Sequence, residues 1–497
     1  MMKHQLAIWS HLTRSLICIV LAHSAFAQGL DTPLTMQGID HFTLSSAASR
    51  SAGGLLFALQ GDAALMFSNP ASLRTLKRLQ VSIGGLQQNM STQQTQQWIP
   101  EKYFAGFSLL MEGLTGYISD PDPTKQGTRF TNAKDTVQRP FDTIGPNWSR
   151  SVNKGFPIQM FAAMPLSIGE YQLSVGVGAV EYANLNHYYQ NNNVLAPSIG
   201  SQRPVPILLP LTGDTVDANW YQYSHSRDGS IYGYGGAISL TLTEGLSLGV
   251  SGMLLKGTTD DNEMRVGRGL LHFVYIPQSY FFLDSVYNRV TKTGTSDFSG
   301  QEFTISAMYR GRSITLGASV KPPTTITRKY HAHIQVDMTG LHSGQTINAQ
   351  DEIALPWRGT LGFAIALKQN LTLGFEYEFR PYASAVYRNA AGVESNPWLS
   401  ASVMHVGAEY VPLEWLALRV GVREQAEAFQ EEGAPIIGRP ISYSIYSAGA
   451  GISLEAFRLN IAYEYAKMKY QDMWQSNVNL NSQITHNIVA SVSYELQ

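Results

Sequence analysis

Five basic residues, Lys321, Arg358, Arg380, Arg419 and Arg423, stand on the polar side of segments that alternate apolar and polar residues with a period of two. Their neighbours Val320, Trp357, Phe379, Leu418 and Val422 stand on the other side, so parity puts the cations on one face and the apolar side chains on the opposite one. Inside an apolar enclosure such a cation can hold the carboxylate of an amphipathic acid, because burying that ion unpaired is costly. Arg358 and Lys321 lead the set as ligand-binding candidates, followed by Arg380, Arg419 and Arg423. The competing assignment is structural: the same cations pair with Glu376, Glu378, Glu409 and Glu464.

Other chemistries find little support. His331 and His333 share a strand face but have no carboxylate at ligand spacing, so no metal is expected and a solvated loop suits them better. No Ser, His and acid form a recognisable nucleophile grouping, and Gly53-Gly54 lacks the Lys-Ser/Thr of a phosphate-binding loop. Neither an enzyme nor a cofactor is therefore expected. With 35 Lys and Arg against 37 Asp and Glu, the chain carries no basic field that would draw nucleic acid.

The elements that must position these residues are strands. Leu246, Leu248, Val250 and Leu254 oppose Ser247, Gly249 and Ser251, and Leu361, Phe363, Ile365 and Leu367 oppose Thr360, Gly362 and Ala364. Copies recur at 172–177, 314–321, 371–378 and 416–423. One face suits lipid and the other water, and charged residues make up only 14% of the chain against roughly a quarter in soluble domains. A soluble sandwich also alternates, so the links decide. Very short ones (167–170, 243–245, 309–312, 368–370, 411–414, 454–456) take turns with long ones (185–217, 259–298, 324–351, 387–399, 427–439, 471–483). That asymmetry predicts an all-β transmembrane antiparallel β-barrel over 76–497, with long loops facing outward and mobile, 188–213 among them. A first strand near 77–88 and the hairpins from 156 onward give fourteen strands, and a pair around 102–110 and 114–121 would make sixteen. Tyr232, Tyr234, Trp357, Tyr410, Trp415, Tyr463 and Tyr465 suit an interfacial aromatic belt.

The start of the chain, with Lys3, an apolar run through 16–21 and Ala25-Phe26-Ala27 before Gln28, predicts a signal peptide over 1–27 cleaved after Ala27. The run is too short to cross a bilayer as a helix, and no later run reaches about 20 apolar residues. Cys18, the one cysteine, falls in this segment, which leaves no disulfide or thiolate metal site.

Residues 28–75 do not alternate, yet they are rich in small side chains: 46–54, then Gly61-Asp62-Ala63-Ala64, then Ser68-Asn69-Pro70-Ala71-Ser72-Leu73. Small residues allow close packing inside a barrel. In this order of signal, small-residue segment, Asp, Asn-Pro-Ala and strands, the chain resembles the outer-membrane long-chain fatty acid transporter family of the FadL/TodX type, as a Bacteroidetes-like member. The hairpin 406–421 and the closing strand 484–497 look like that family's, although Leu496-Gln497 stand where an aromatic end is usual. The resemblance implies a fourteen-stranded barrel whose lumen is closed by an N-terminal hatch over 28–75, marked here by Arg50, Asp62, Asn69, Pro70 and Ala71. Asp62 and Asn69 are expected to pin that hatch to the wall by hydrogen bonds. It further implies passive uptake of hydrophobic compounds such as long-chain fatty acids, released through the wall or the hatch. Membrane lipids, a hydrophobic small molecule and the barrel-insertion machinery are the implied partners. The alternative is a structural or secretion-associated barrel that binds exported protein cargo through secretion-system partners.

Overall fold

The computed structural model describes residue 39 and residues 46–98, 147–169, 171–199, 214–275, 279–284, 288–338, 341–396, 398–428, 440–474 and 477–496. The signal segment and the pair expected at 102–121 lie outside the described residues.

Strand follows strand: β1 (Gln80–Trp98), β2 (Trp148–Ile168), β3 (Tyr171–Asn184), β4 (His187–Ile199), β5 (Asp214–Thr241), β6 (Leu246–Tyr275), β7 (Ser279–Asp284), β8 (Asn288–Arg310), β9 (Ile314–Lys321) and β10 (Thr324–Met338). Then come β11 (Leu341–Leu355), β12 (Arg358–Lys368), β13 (Leu371–Phe379), β14 (Val386–Arg388), β15 (Glu394–Ser395), β16 (Val403–Leu413), β17 (Leu416–Ala426), β18 (Ser442–Leu454), β19 (Phe457–Trp474) and β20 (Asn477–Glu495). Each pairs antiparallel with its neighbours, and β20 returns to β1 along its whole length, from Gln80↔Glu495 to Trp98↔Asn477. The closed wall runs β1-β2-β3-β5-β6-β8-β9-β12-β13-β16-β17-β18-β19-β20, which is fourteen strands. Closure removes the sheet edges that a bilayer cannot tolerate.

The period of two decides what faces out. Val250, Leu254, Ile305, Leu316, Leu361 and Val420 are exposed on the outer surface, whereas Ser247, Ser251, Thr304, Ser306, Ser319 and Thr360 are buried within. An exposed apolar belt around an entire barrel fits hydrocarbon, not water. Tyr234, Trp357, Tyr410, Trp415 and Tyr463 stand outward among the exposed aromatics, as parity predicts.

Several segments expected as loops are strand. β5 and β6 run 28 and 30 residues, far beyond the 9–11 that cross a bilayer. The stretches 259–298 and 324–351 largely continue the wall outward, and β4 pairs with β5 from His187↔Arg227 to Ile199↔Val216 where a mobile loop was expected. At 259–267 and 288–297 the residues are largely polar at both parities, so the hydrophobic alternation that marks the bilayer portion fades although the ladder persists. His331 and His333 consequently sit on a strand, with His331 Nδ1 2.5 Å from Asn348 Oδ1. Pro322-Pro323 separates β9 from β10 and Pro356 precedes β12; proline has no N–H to give a ladder, and the pairing with β8 breaks between Ile305↔Val320 and Gly300↔Ile326.

Among the described residues a seam interrupts the wall between β2 and β3. β2 pairs with β3 only up to Gln159↔Val180, while β2 continues against β1 to Trp148↔Gln94. β3 instead follows β5 through a bulge at Glu181/Ala183. Above this point side chains replace the ladder: Trp148 Nε1 donates to Gln190 O at 2.9 Å and Lys154 Nζ to Asn186 Oδ1 at 2.6 Å.

Candidate functional site

Residues 46–79 lie inside the barrel, packed against lumen-facing side chains of its wall. A short helix, α1 (Ala47–Ser51), is capped by Ser46, whose Oγ accepts from Ser49 N. Tight turns follow at Ala63–Leu65 and Pro70–Thr75.

Glycines at lumen positions of the wall make room for this hatch. A Cβ built on Gly317 would fall 2.0 Å from the ring of Phe57, and one on Gly362 2.8 Å from the same ring, so two adjacent strands form the socket of one aromatic side chain. Gly249 does the same for the Pro70-Ala71 backbone at 2.3–2.4 Å, Gly421 for Gly53, Gly407 for Ala52 and Gly449 for Ser51. The positive φ of Gly53 (76°) and Gly54 (87°) makes a tight turn against the wall just after α1.

Hydrogen bonds complete the docking. Glu376, 1% exposed, accepts from the backbone N–H groups of Leu56 and Phe57 at 2.7 and 2.8 Å. Ala71 N donates to Ser306 Oγ at 2.8 Å, and Ser239 and Ser247 donate to Ala71 O. Gly53 N donates to Ser447 Oγ at 3.0 Å, His405 Nδ1 lies 2.8 Å from Gly53 O, and Thr304 Oγ1 donates to Phe67 O at 2.9 Å. Arg458 and Gln80 both donate to Gly61 O.

The expected hatch pins behave differently from their sequence reading. Asp62 does not reach the wall: its Oδ1 accepts from Ala64 N at 3.0 Å and caps its own turn, which a short carboxylate at an N-cap does best. Asn69 Nδ2 donates to Leu56 O at 3.1 Å and approaches the Met308 sulfur at 3.9 Å, so it holds the hatch to itself first and to the wall second. Pro70 opens the Pro70–Thr75 turn, and Ala71 is the point that meets three strands.

Above the hatch lies a cavity of about 100 Å³ lined by Arg50, Lys321, Arg358, Arg380, His405 and Arg423, with Glu378 as the carboxylate on its wall. Four of the five sequence candidates meet here; Arg419 does not. It lies with Glu409 at 2.7 Å and Asn460 at 3.0 Å around a second cavity of about 200 Å³, lined also by Asp62, Trp415 and Arg458. Arg380 pairs with Glu378 at 2.8 Å and Arg423 with Glu464 at 2.6 Å. Arg358 and Lys321 share a partner that sequence reasoning missed: Glu302, fully buried, takes Arg358 on one oxygen and Lys321 on the other, the latter at 2.5 Å, while Tyr182 donates to it at 2.7 Å. Phe303, Ile305 and Tyr309 face outward on β8, so the same parity puts Glu302 inside. Glu376 was expected beside a cation and instead serves the hatch backbone.

Beside this cavity a single buried apolar cluster extends from the hatch (Ile39, Phe67, Leu73) past wall residues Phe161, Ile231, Phe298, Ile326 and Leu355 to Tyr382, Trp398 and Ala401. The last three are buried near the two ends of the stretch between β13 and β16, with the Tyr382 and Trp398 rings edge-to-face at 5.2 Å. Among the described residues no group of three or more His, Cys, Asp or Glu could hold a metal ion.

No family model matches the sequence, and no curated protein does. Solved structures share the fold. This chain is similar to a Pseudomonas aeruginosa FadL homologue at 13% identity and a TM-score of 0.57, covering 91% of this chain and 98% of that one. It is also similar to the Pseudomonas putida toluene transporter TodX at 13% identity and a TM-score of 0.52, over 91% and 98%. The Ralstonia pickettii toluene transporter TbuX aligns at 13% identity and a TM-score of 0.50, over 92% and 100%.

Proposed function

We propose that the chain is an outer-membrane channel for passive uptake of hydrophobic compounds, long-chain fatty acids among them, delivered after cleavage of the 1–27 segment and placed by the barrel-insertion machinery. The observation that carries this reading is the apolar cluster running from the stretch between β13 and β16 to the hatch alongside a cation-lined cavity. The first supplies the solvent for a tail, and the second the counter-charge for a head. Lys321, Arg358, Arg380 and Arg423 form the head-group end of the path; Arg419, on the second cavity, serves a released head group on the far side of α1. The fold that the chain has in common with toluene transporters supports hydrophobic cargo as a class. Two exits suit the geometry. One is displacement of the hatch, and the other is the seam where β2 and β3 part at Gln159↔Val180.

Entry of labelled oleate and labelled toluene into cells carrying the intact chain, compared with an Asn69→Ala variant and with cells lacking the protein, tests the reading. Faster entry with the intact chain is expected, and Asn69→Ala should change it. Entry equal in all three refutes it.

The long outward extensions of β5, β6, β8, β10 and β11 favour a second reading, a surface body that holds exported protein cargo through secretion-system partners. Cross-linked partners recovered from intact envelopes, and lost when 324–355 is shortened, would favour it.

A further inference from the structure

The outer surface of the wall carries a group of cations that the uptake reading does not use. β19 leaves the short turn at 454–456 with Phe457, and about 9–11 residues of tilted strand cross a bilayer, so the outer hydrocarbon boundary falls at about residues 466–468. Tyr463 and Tyr465 face outward just below it, with His486 of β20 alongside: its Nδ1 lies 2.7 Å from the Tyr463 hydroxyl, and its ring 5.3 Å from that of Tyr465. Rings at this depth fit the interfacial belt. Lys467 and Lys469 follow on the same face, both exposed, roughly 7 Å apart along the strand. Across the register Lys467 meets Ile484 and then Ser91 and Ser151, and Lys469 meets Ser482 and then Gln93 and Ser149. Carboxylates are missing from this surface. β1, β2 and β18 contain no Asp or Glu, β20 has only Glu495 at its opposite end, and Glu464 faces the lumen. By register the closest outward carboxylate among the described residues is Glu424, two strands away on β17 and so about 10 Å distant. Elsewhere on the wall outward lysines have an acid beside them: Lys329 stands directly opposite Asp297, and Lys256 lies diagonal to the same residue.

We propose that this patch binds the phosphorylated sugar head group of an outer-leaflet glycolipid, with Lys467 and Lys469 on its phosphate and the hydroxyl and amide side chains of β20, β1 and β2 on its sugar. The proposal goes beyond uptake and takes from that reading only the premise that the wall stands in an outer membrane, whose outer leaflet is built of such lipids. A smooth wall offers a lipid no pocket, so recognition falls to charge at head-group height and to hydrogen bonds spread over several strands. Two ammonium groups with no acid to neutralise them meet a phosphate as point charges. The acyl chains then lie on the outward apolar residues below, Ile461 and Ile488 among them.

The test is titration of the purified full-length protein in a non-ionic detergent with fluorescent bis-phosphorylated lipid A and with the same lipid stripped of its phosphates. The proteins compared are the wild type, Lys467→Gln/Lys469→Gln, Lys467→Arg/Lys469→Arg and the control Lys256→Gln/Lys329→Gln, each checked for a closed barrel by heat-modified gel mobility. The wild type should prefer the phosphorylated lipid, and Lys467→Gln/Lys469→Gln should lose about ten- to thirtyfold of that preference. The arginine variant, which keeps the charge, and the control should retain most of it. An unchanged preference in Lys467→Gln/Lys469→Gln overturns the proposal, and so does an equal loss in the control, which marks general attraction to the charge of the barrel. Displacement of the lipid by millimolar inorganic phosphate also overturns it, because the site then takes a free anion and not a lipid head. Sedimentation of the chain with inner-membrane fractions overturns the outer-membrane premise, an outcome separable from every result of the titration.

Discussion

Gly317→Ala should loosen the hatch although it adds only a methyl group. The new Cβ would lie 2.0 Å from Phe57 Cδ1 and 2.2 Å from Cγ, so ring and methyl cannot share the socket. Gly362 closes the other side, and Glu376 holds the Phe57 and Leu56 N–H groups, which leaves the ring no short slide along the wall. The ring must leave. Phe57 is fully buried, and losing the burial of such a side chain costs about 2–3 kcal/mol. If that cost falls on docking of the 54–59 segment, the docked-to-undocked ratio drops roughly 30- to 150-fold.

Limited proteolysis of the folded barrel, with cleavage mapped to 46–79, reads that ratio directly. Heat-modified gel mobility checks separately that the barrel itself is closed. Single-channel recording should show brief openings in the variant that the wild type lacks. The double variant Gly317→Ala/Phe57→Ala should behave like Phe57→Ala alone, because with the ring gone the methyl meets nothing; such non-additivity is the mark of a direct contact. Protection of 46–79 as complete in Gly317→Ala as in the wild type would refute the socket, and with it the idea that lumen glycines position the hatch.

Three further outcomes are expected. Glu376→Ala leaves two buried N–H groups unmet at about 1–3 kcal/mol each, so proteolysis within 46–79 should quicken sharply, whereas Glu376→Gln keeps an acceptor oxygen and should quicken it less. Arg358→Gln strips Glu302 of one of its two cations; breaking so buried a pair costs about 3–5 kcal/mol, and denaturant midpoints should fall well below those of Arg419→Gln, whose partner Glu409 is partly exposed. Ala58→Cys with Gly374→Cys should form a disulfide that fixes hatch to wall once the end of the Leu55 side chain, 2.5 Å from a Cβ on Gly374, swings aside, since that Cβ lies 3.2 Å from Ala58 Cβ, close to the ~3.5–4.5 Å that a disulfide spans. Uptake that continues in the oxidised protein points to the β2–β3 seam as the exit, and uptake restored only by reduction points to the hatch.

The wall was legible in the sequence because its two faces meet different solvents. Leu246, Leu248 and Val250 cannot exchange sides with Ser247, Gly249 and Ser251 without putting polar atoms into hydrocarbon, so the alternation states both strand and orientation. Beyond the bilayer the constraint vanishes. At 259–267 and 288–297 residues of both parities are largely polar, and nothing in the composition tells a two-sided polar strand from a loop, although the ladder continues through Met264↔Thr291. The lumen cations were legible by the same parity, but their partners were not, since Arg358 and Glu302 are brought together by closure across β9 and not by any local spacing.

The glycines expose the limit most clearly. Gly249, Gly317, Gly362, Gly407 and Gly421 occupy lumen positions where any small or polar residue would satisfy the alternation, and only the hatch explains why a side chain is excluded. Their distribution has a mechanical consequence. The Pro70–Thr75 turn docks on β5, β6 and β8 through Ser239, Ser247 and Ser306, while α1 and the turn after it dock on β17, β18 and β19 through Gly421, Ser447 and Glu464, far around the ring. Between these anchors the chain is fastened at several separate points: Phe57 in its socket, the Leu56 and Phe57 N–H groups on Glu376, Gly61 O under Arg458 and Gln80, and Phe67 O under Thr304. Gly54 and Leu56, on the stretch that Phe57 and Glu376 fasten, line the cation-rich cavity. A head group resting in that cavity would therefore bear on the plug where Glu376 and the Phe57 socket hold it, which is why substitutions at those two places are the ones to read for hatch movement.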